Sequence, residues 1–274
     1  MSLRLTVKNK IVSLLTRLKL IEPAKMAYFA LRGARPSVVA SEIKLRVVGA
    51  PDGMAVPSPR LLWLVTRNPW ATLNMQGGDV FTRDMIDTLA RNGIDAGRME
   101  NILDFGCGCG RMTRYLKALD GPDVYGTDVN PTLTAWCDKN LKFGHFSVNG
   151  LEPPLDFDYD KFDLILSYSV YTHLTLDLQK AWTAELRRVL KPGGHLYFTT
   201  MGKSALNKLT VDERARYDAG EFVVLNPELV GKNFCGALES PDFVKANLTE
   251  GFSLVDYVPE PSAGIQDVYI LRKA

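Results

Sequence analysis

The 274-residue sequence has no long apolar run, few cysteines and a net charge of only +2. A membrane-spanning helix needs about 20 consecutive apolar residues, and no stretch of the chain comes near that length. The sequence also does not open with the continuous apolar core of a secretory signal peptide. So small a net charge gives no general attraction to nucleic acid. We therefore expect a cytoplasmic protein with no nucleic-acid partner.

Cysteine is too scarce and too scattered to suggest a metal centre. The four cysteines are Cys107, Cys109, Cys137 and Cys235, and they do not follow the spacing of metal ligands. Such a chain is typical of a reducing compartment, where thiols stay free. The composition is otherwise that of an ordinary globular protein, with 46% hydrophobic and 23% charged residues. We expect a substantial core, reduced thiols and no bound metal.

Charge is unevenly distributed along the chain. Residues 1–35 contain eight Lys or Arg and one acidic residue, Glu22, whereas the remainder is slightly acidic. A basic amphipathic helix in this segment can bind an anionic membrane surface, or its apolar stripe can pack on this protein or on a dimer mate. Peripheral membrane association and a homodimer therefore both stay open. The apolar residues that recur at helical spacing are Leu3, Val7, Ile11, Leu14, Leu15, Leu18 and Ile21.

The main functional signal is the segment 101–111, Asn-Ile-Leu-Asp-Phe-Gly-Cys-Gly-Cys-Gly-Arg. Its apolar first half predicts a buried strand, its glycines a tight turn, and the residues from Arg111 to Leu119 a helix. Glycines let a ligand approach the backbone, and free N–H groups at a helix start favour a nucleotide or another anion. Asp128 ends a second predicted strand, where a carboxylate can accept hydrogen bonds from both hydroxyls of a ribose.

Two kinds of nucleotide-binding protein use such a turn. The dinucleotide fingerprint G-x-G-x-x-G would need a third glycine where this chain has Arg111, which argues against an NAD-dependent oxidoreductase. From Gly106 the pattern is instead G-x-G-x-G, preceded by Asp104. It resembles the first motif of the class I S-adenosylmethionine-dependent methyltransferases of the small-molecule type (methyltransferase types 11 and 12). The resemblance covers residues 100–200 and continues through Asp128, Phe-Asp-Leu-Ile-Leu-Ser at 162–167 and Leu-Arg-Arg-Val-Leu-Lys-Pro-Gly-Gly at 186–194.

The resemblance implies an α/β fold, a Rossmann-like, doubly wound sheet of seven strands that is mostly parallel and ends in an antiparallel C-terminal hairpin. The alternation of strand and helix patterns after residue 100 also favours a parallel sheet with helices on both faces. We predict an N-terminal extension, residues 1–70, consisting of the basic helix and loops, with a short strand at Leu45–Val48 and a short helix near Arg60–Arg67. A methyltransferase domain, residues 71–274, follows, with an insertion at about 201–240 where the resembled family varies its substrate cover.

The resemblance also implies where S-adenosylmethionine would bind. The glycines would hold its methionine portion, Asp128 its ribose, Val129 the face of its adenine and residues 149–151 the adenine edge. Asp104 would order the turn or bind the amino group through water, and Arg111 would meet the methionine carboxylate or face solvent. These residues follow strands whose carboxyl ends share one edge of the sheet, where doubly wound folds bind ligands. The implied cofactor-binding set is Asp104, Gly106, Cys107, Gly108, Gly110, Arg111, Asp128, Val129, Asn149, Gly150, Leu151, Ser167 and Tyr168.

The motifs after the fourth strand bear on the acceptor. The sequence lacks the Pro-Cys of cytosine C5 methyltransferases, and Ser-Tyr-Ser-Val at 167–170 replaces the Asn/Asp-Pro-Pro-Tyr/Phe of amino-group methylation. This favours methyl transfer to a small molecule or glycan, at a hydroxyl, with S-adenosylhomocysteine as product. His173, in the following loop, is the candidate general base, with a structural role as its alternative. A catalytically silent cofactor-binding relative and a membrane-associated enzyme with a lipid-linked substrate are the other hypotheses.

Overall fold

The computed structural model describes residues 20–226, 230, 235–261 and 266–274. The chain forms two compact units, Met1–Gln76 and Gly77–Ala274. The apolar pattern that predicted a basic helix falls on residues 1–19, which lie outside the described residues. Its last member, Ile21, is described and is the first residue of a helix. None of the described helices combines the length and apolar character required to span a membrane.

The described part of the first unit is built from helices. The predicted strand at Leu45–Val48 is wrong, because these residues form the last turn of a helix that starts at Pro36. Proline suits the first turn of a helix, and Glu42 and Arg46 form an ion pair of 3.0 Å one turn apart. Much of the region predicted as loops is therefore helical. The helices are α1 (Ile21–Gly33), α2 (Pro36–Val48), α3 (Pro59–Thr66) and α4 (Ala71–Arg91), and the boundary between the units falls within α4.

The second unit contains the predicted seven-stranded sheet. The strand order is β3-β2-β1-β4-β5-β9-β8, with the first five strands parallel and the last two antiparallel, as predicted. Two further short strands, β6 and β7, pair separately. The strands are β1 (Asn101–Phe105), β2 (Asp123–Asp128), β3 (Gly144–Val148), β4 (Phe162–Ser167), β5 (Leu190–Met201), β6 (Val223–Leu225), β7 (Gly236–Leu238), β8 (Phe252–Val258) and β9 (Gln266–Lys273).

Helices cover both faces of this sheet. Alternate residues of each strand point to opposite faces, so each face has apolar side chains against which helices pack. Phe105 packs in one apolar cluster with Trp182 and Leu186 of α7. Ile102 packs in the other with Met85 and Leu89 of α4. The helices of the second unit are α5 (Thr113–Leu116), α6 (Pro131–Asn140), α7 (Leu176–Val189), α8 (Val211–Asp218) and α9 (Pro241–Asn247).

The segment predicted as an insertion, 201–240, has a small apolar core of its own. Ala205, Val223 and Leu238 are buried together there. Helix α8 starts with a capping box in which Thr210 and Glu213 bond each other's backbone N–H groups. Later in the same segment, Gly236–Leu238 forms strand β7, which pairs with β6. The intervening residues 227–229 and 231–234 lie outside the described part of the chain.

Candidate active site

A glycine turn follows β1 at the carboxyl edge of the sheet. The N–H groups of Gly106 and Cys107 donate to the carbonyl of Thr127 at 2.8 and 2.9 Å, which ties the turn to β2. Gly106 has a φ of 84°, and a Cβ there would overlap Val170. Only glycine meets both conditions without strain. The sequence of the turn therefore fixes its backbone conformation.

Asp128 lies at the end of β2, next to this turn. Its Oδ2 accepts a hydrogen bond from the N–H of Gly108 at 3.0 Å, and its Oδ1 accepts one from the N–H of Asn130 at 2.8 Å. Burial raises the pKa of Asp128, and these two donors oppose that rise. Each carboxylate oxygen retains accepting capacity beyond its single backbone bond. The side chain is thus oriented in advance for further hydrogen-bond donors.

Asp104 is a buried carboxyl inside β1. Thr113 Oγ1, in the first residue of α5, donates to its Oδ2 at 2.5 Å. Burial raises the pKa of Asp104 to about 6, against the effect of this hydrogen bond. Asp104 also lines a small cavity together with Met85, Met112 and Tyr168. The contact with Thr113 shows that Asp104 orders the chain just after the turn.

The side chain of Arg111 packs against an aromatic ring and does not simply face solvent. The helix starts only at Thr113, so Arg111 belongs to the turn. Its guanidinium lies 5.4 Å from the ring centroid of Phe81, and that ring stacks on Tyr168 at 5.3 Å. Burial lowers the pKa of Arg111, but the cation–π contact suits a charged side chain in partly buried surroundings. The stack connects α4, the turn and the end of β4.

Comparison with known proteins agrees with this geometry. The model of a family described as "Methyltransferase domain" matches residues 103–198, which run from β1 to β5 and include the glycine turn and Asp128. This segment, residues 103–198, is therefore similar to the methyltransferase domains of class I S-adenosylmethionine-dependent enzymes. The strand order of the chain, with an antiparallel pair following five parallel strands, is that of the fold the sequence predicted.

The curated relatives match this chain over part of its length. Over 148 residues it is 30% identical to the phthiotriol/phenolphthiotriol dimycocerosates methyltransferase of Mycobacterium leprae, covering 52% of this chain and 53% of that protein. Over 130 residues it is 29% identical to the mitochondrial ubiquinone biosynthesis O-methyltransferase of Dictyostelium discoideum, covering 43% and 40%. The chain thus spans about half the length of the curated relatives it matches.

Solved structures show the same fold. The crystal structure of an S-adenosylmethionine dependent methyltransferase from Mesorhizobium loti is 16% identical to this chain, with a TM-score of 0.53. The likeness covers 69% of this chain and 98% of that chain. At this identity the similarity concerns the fold.

The residues after β2 and β3 suit an adenine ring. Val129 and Leu151 are apolar yet exposed, at 41% and 38%, at the same edge of the sheet. Asn149 donates through its Nδ2 to the carbonyl of Gly150 at 2.7 Å, while its buried Oδ1 has no hydrogen-bond partner among the described residues. A buried acceptor without a donor is costly. An adenine amino group is a donor of the type that this oxygen lacks, so the residues present fit the cofactor.

The end of β4 contributes less exposed groups. Ser167 is fully buried, and its hydroxyl has no partner among the described residues. Burial raises the pKa of the Tyr168 phenol to about 12, so this side chain stays neutral within the aromatic stack.

Sequence patterns missed Phe81 and Thr113, because neither belongs to a glycine or acidic motif. The apolar side chains of Phe81, Met85 and Leu89 recur at helical spacing in the sequence, and this periodicity is the signal that could have located Phe81.

His173 lies in a 3₁₀ turn, Tyr171–His173, between β4 and α7. Its Nδ1 lies 2.7 Å from the carbonyl oxygen of Cys235, just before β7. A carbonyl oxygen can only accept, so Nδ1 carries the proton of the neutral ring and Nε2 is its basic nitrogen. The contact fixes both the tautomer of His173 and the position of the chain entering β7.

A group of buried polar side chains, not foreseen from the sequence, lies beside this turn. Gln179 Nε2 donates to the carbonyl of Tyr171 at 2.9 Å and to Glu239 Oε1 at 3.3 Å. Glu239 is 1% exposed, and burial raises its pKa to about 8, although the hydrogen bond from Gln179 opposes this. Within the described chain, Glu239 Oε2 and the hydroxyls of Thr200 and Tyr269 have no hydrogen-bond partner. No local motif marks this group, because its members come from α7, β5, β9 and the position just after β7.

Proposed function

We propose that this protein transfers the methyl group of S-adenosylmethionine to a hydroxyl of a small molecule or glycan and releases S-adenosylhomocysteine. The observation that carries the proposal is the bond between Asp128 and the N–H of Gly108, because it joins a ribose-binding carboxylate to a glycine turn at the ligand-binding edge of the sheet. The match of residues 103–198 to a methyltransferase domain family supports the choice of cofactor.

The cofactor would be held by groups that have no hydrogen-bond partner among the described residues or that can accept further hydrogen bonds. Asp128 would accept the ribose hydroxyls, since its two oxygens are already oriented by Gly108 and Asn130. Asn149 Oδ1 would accept the adenine amino group, and Val129 would cover the ring. The backbone of Gly106–Gly110, with Arg111 beside it, would bind the methionine portion.

The bound cofactor supplies a methyl group on positively charged sulfur, ready for in-line displacement. The protein's main contribution is then alignment and exclusion of water, and alignment can be worth about 7–11 kcal/mol. We propose that His173 removes the hydroxyl proton through Nε2, because the carbonyl of Cys235 keeps the proton of the neutral ring on Nδ1. An O-methyltransferase among the relatives supports an oxygen acceptor.

Thermal unfolding with and without ligand tests the cofactor assignment. S-adenosylhomocysteine should raise the melting temperature, because a ligand at 100 times its Kd adds about 2.7 kcal/mol to the free energy of unfolding. NAD at the same concentration is the control and should leave the melting temperature unchanged. Stabilisation by NAD alone would refute the proposal.

Two alternatives keep the same cofactor site. A catalytically silent relative would bind S-adenosylhomocysteine but transfer no methyl group to any acceptor, so binding and turnover measured on the same preparation separate it from the enzyme. A membrane-associated enzyme would take a lipid-linked acceptor, and would need a surface that binds the bilayer. A homodimer is compatible with each form of the proposal.

A further inference from the structure

Helices α1 and α2 expose apolar side chains to an unusual degree. Leu31 is 78% exposed and Val47 79% exposed, and in the described helix α2 no residue is buried. A helix on a globular protein normally buries an apolar stripe against a core, so exposed apolar side chains on neighbouring helices indicate a surface that binds something. The other large apolar side chains exposed on these two helices are Tyr28, Phe29, Ile43 and Val48.

These helices and the short link between them carry positive charge that no acidic side chain in the described part of the protein neutralises. Both of their acidic residues are already paired, Glu22 with Arg67 at 2.9 Å and Glu42 with Arg46 at 3.0 Å. Glu22 also accepts from the indole of Trp63 at 3.1 Å, which holds its carboxylate toward α3. The remaining cations with no acidic partner among the described residues are Arg32, Arg35 and Lys44.

We propose that Ile21–Val48 binds the surface of an anionic lipid bilayer. The exposed apolar side chains would enter the boundary between headgroups and acyl chains, while Arg32, Arg35 and Lys44 would contact lipid phosphates. Helices with exposed apolar residues and a basic polar face bind membranes in this way, without spanning them. The inference concerns binding and is independent of methyl transfer.

Charge favours a bilayer over a second copy of this chain. An interface between two identical surfaces would bring the unpaired cations of both copies together, which is unfavourable without anions between them. A bilayer containing acidic lipids supplies both the negative charge and the apolar environment. The first nineteen residues of the sequence add Arg4, Lys8, Lys10, Arg17 and Lys19 with no acidic residue.

Co-sedimentation of the full chain with vesicles tests this proposal. We expect binding to vesicles of phosphatidylcholine mixed with phosphatidylserine, weaker binding as salt is raised, and little binding to phosphatidylcholine alone. The paired substitutions Leu31→Asp and Val47→Asp should weaken binding at least tenfold. Because both side chains are more than three-quarters exposed, the variant should keep its melting temperature.

A matched control isolates the surface from the charge of the substitution. Val211, at the start of α8 in the second unit, is 86% exposed, and Val211→Asp should leave vesicle binding unchanged. A charge variant, Arg35→Glu with Lys44→Glu, should also lose binding to the acidic vesicles. Unchanged binding by the Leu31/Val47 variant would overturn the proposal, as would equal binding to neutral vesicles. A full chain that is dimeric, and becomes monomeric in this variant without ever binding vesicles, would likewise overturn it.

Discussion

Asp128 and Gly108 are joined by a hydrogen bond of 3.0 Å although 20 residues separate them in sequence. The bond connects the end of β2 to the turn that follows β1, so two elements of the cofactor site position each other before any ligand arrives. Such pre-organisation lowers the free-energy cost of ordering the site on binding. Asp128 therefore orders the turn, in addition to the ribose-binding role that we propose for it.

Asp128→Ala should weaken binding of S-adenosylhomocysteine at least tenfold while leaving the protein folded. The reason is the loss of charge-assisted hydrogen bonds to the ribose, each worth about 1.5–3 kcal/mol. Isothermal calorimetry measures the affinity, and circular dichroism checks the fold. Asp123→Ala is a matched control, because Asp123 is exposed at the opposite end of β2. Unchanged affinity in Asp128→Ala would refute the assigned role.

Adjacent glycines in α4 should respond oppositely to alanine. A Cβ at Gly78 would overlap the backbone carbonyl of Arg111, whereas one at Gly77 would meet its nearest neighbour, Arg111 Nη1, at 3.5 Å. Gly78→Ala should destabilise the fold by about 1–3 kcal/mol, because the glycine turn cannot move away freely. Gly77→Ala should stabilise it by up to about 1 kcal/mol through helix propensity. Chemical denaturation measures both, and equal effects would contradict the close packing of α4 on the turn.

Glu239→Gln should make stability less sensitive to pH. The pKa of Glu239 is raised from an ordinary value of 4.5 to about 8, so the folded state holds its proton more tightly than the unfolded state. The resulting stability is fully present below pH 4.5 and is lost as pH rises through 8. As pH rises from acidic to alkaline, the free energy of unfolding of the variant should increase relative to that of wild type by on the order of a few kcal/mol.

Urea unfolding across that pH range provides the measurement for Glu239. Glu152→Gln at an exposed position is the control and should follow the wild-type pH profile. A constant difference between Glu239→Gln and wild type at every pH would show that Glu239 titrates normally in the folded protein.

His173→Ala should reduce turnover by about 10²–10⁴ while S-adenosylmethionine still binds, since a positioned base contributes that factor. His173→Asn is the decisive companion, because its amide can still donate toward the carbonyl of Cys235 but cannot take up a proton. Steady-state rates would be measured with any acceptor that supports turnover, beside His145→Ala, an exposed histidine of β3. Normal turnover in His173→Asn would assign His173 a purely structural role.

The sequence predicted the parallel sheet well, because each strand carries its own apolar run and is bounded by turn residues. It failed where the decisive contacts are distant. Leu45–Val48 has the apolar, β-branched character of a strand, but the helix starting at Pro36 continues through it. The short strand Gly236–Leu238 has too little local pattern to be recognised and depends on pairing with β6.

The candidate site shows the same division. Its glycines and Asp128 lie in a local motif and could be predicted, whereas the contact of Gln179 with Glu239 spans 60 residues and leaves no periodic trace. Arg111 was assigned a place in a helix because the apolar spacing after it is helical. The positive φ of Gly110, 70°, keeps the chain in a turn, and the helix starts only at Thr113.

The buried thiols around the glycine turn allow opening of that turn to be measured by cysteine labelling. Cys137 Sγ lies 3.4 Å from the carbonyl of Gly108, and Cys107 Sγ lies 3.7 Å from it. The Cys137 thiol, together with burial, raises the pKa of Cys107 well above its usual value, and burial raises that of Cys109 to about 12. Thiol reagents attack the thiolate, so labelling here requires the turn to open first. The labelling rate therefore measures how often the turn opens, and a ligand that closes the site should slow the labelling of these native thiols.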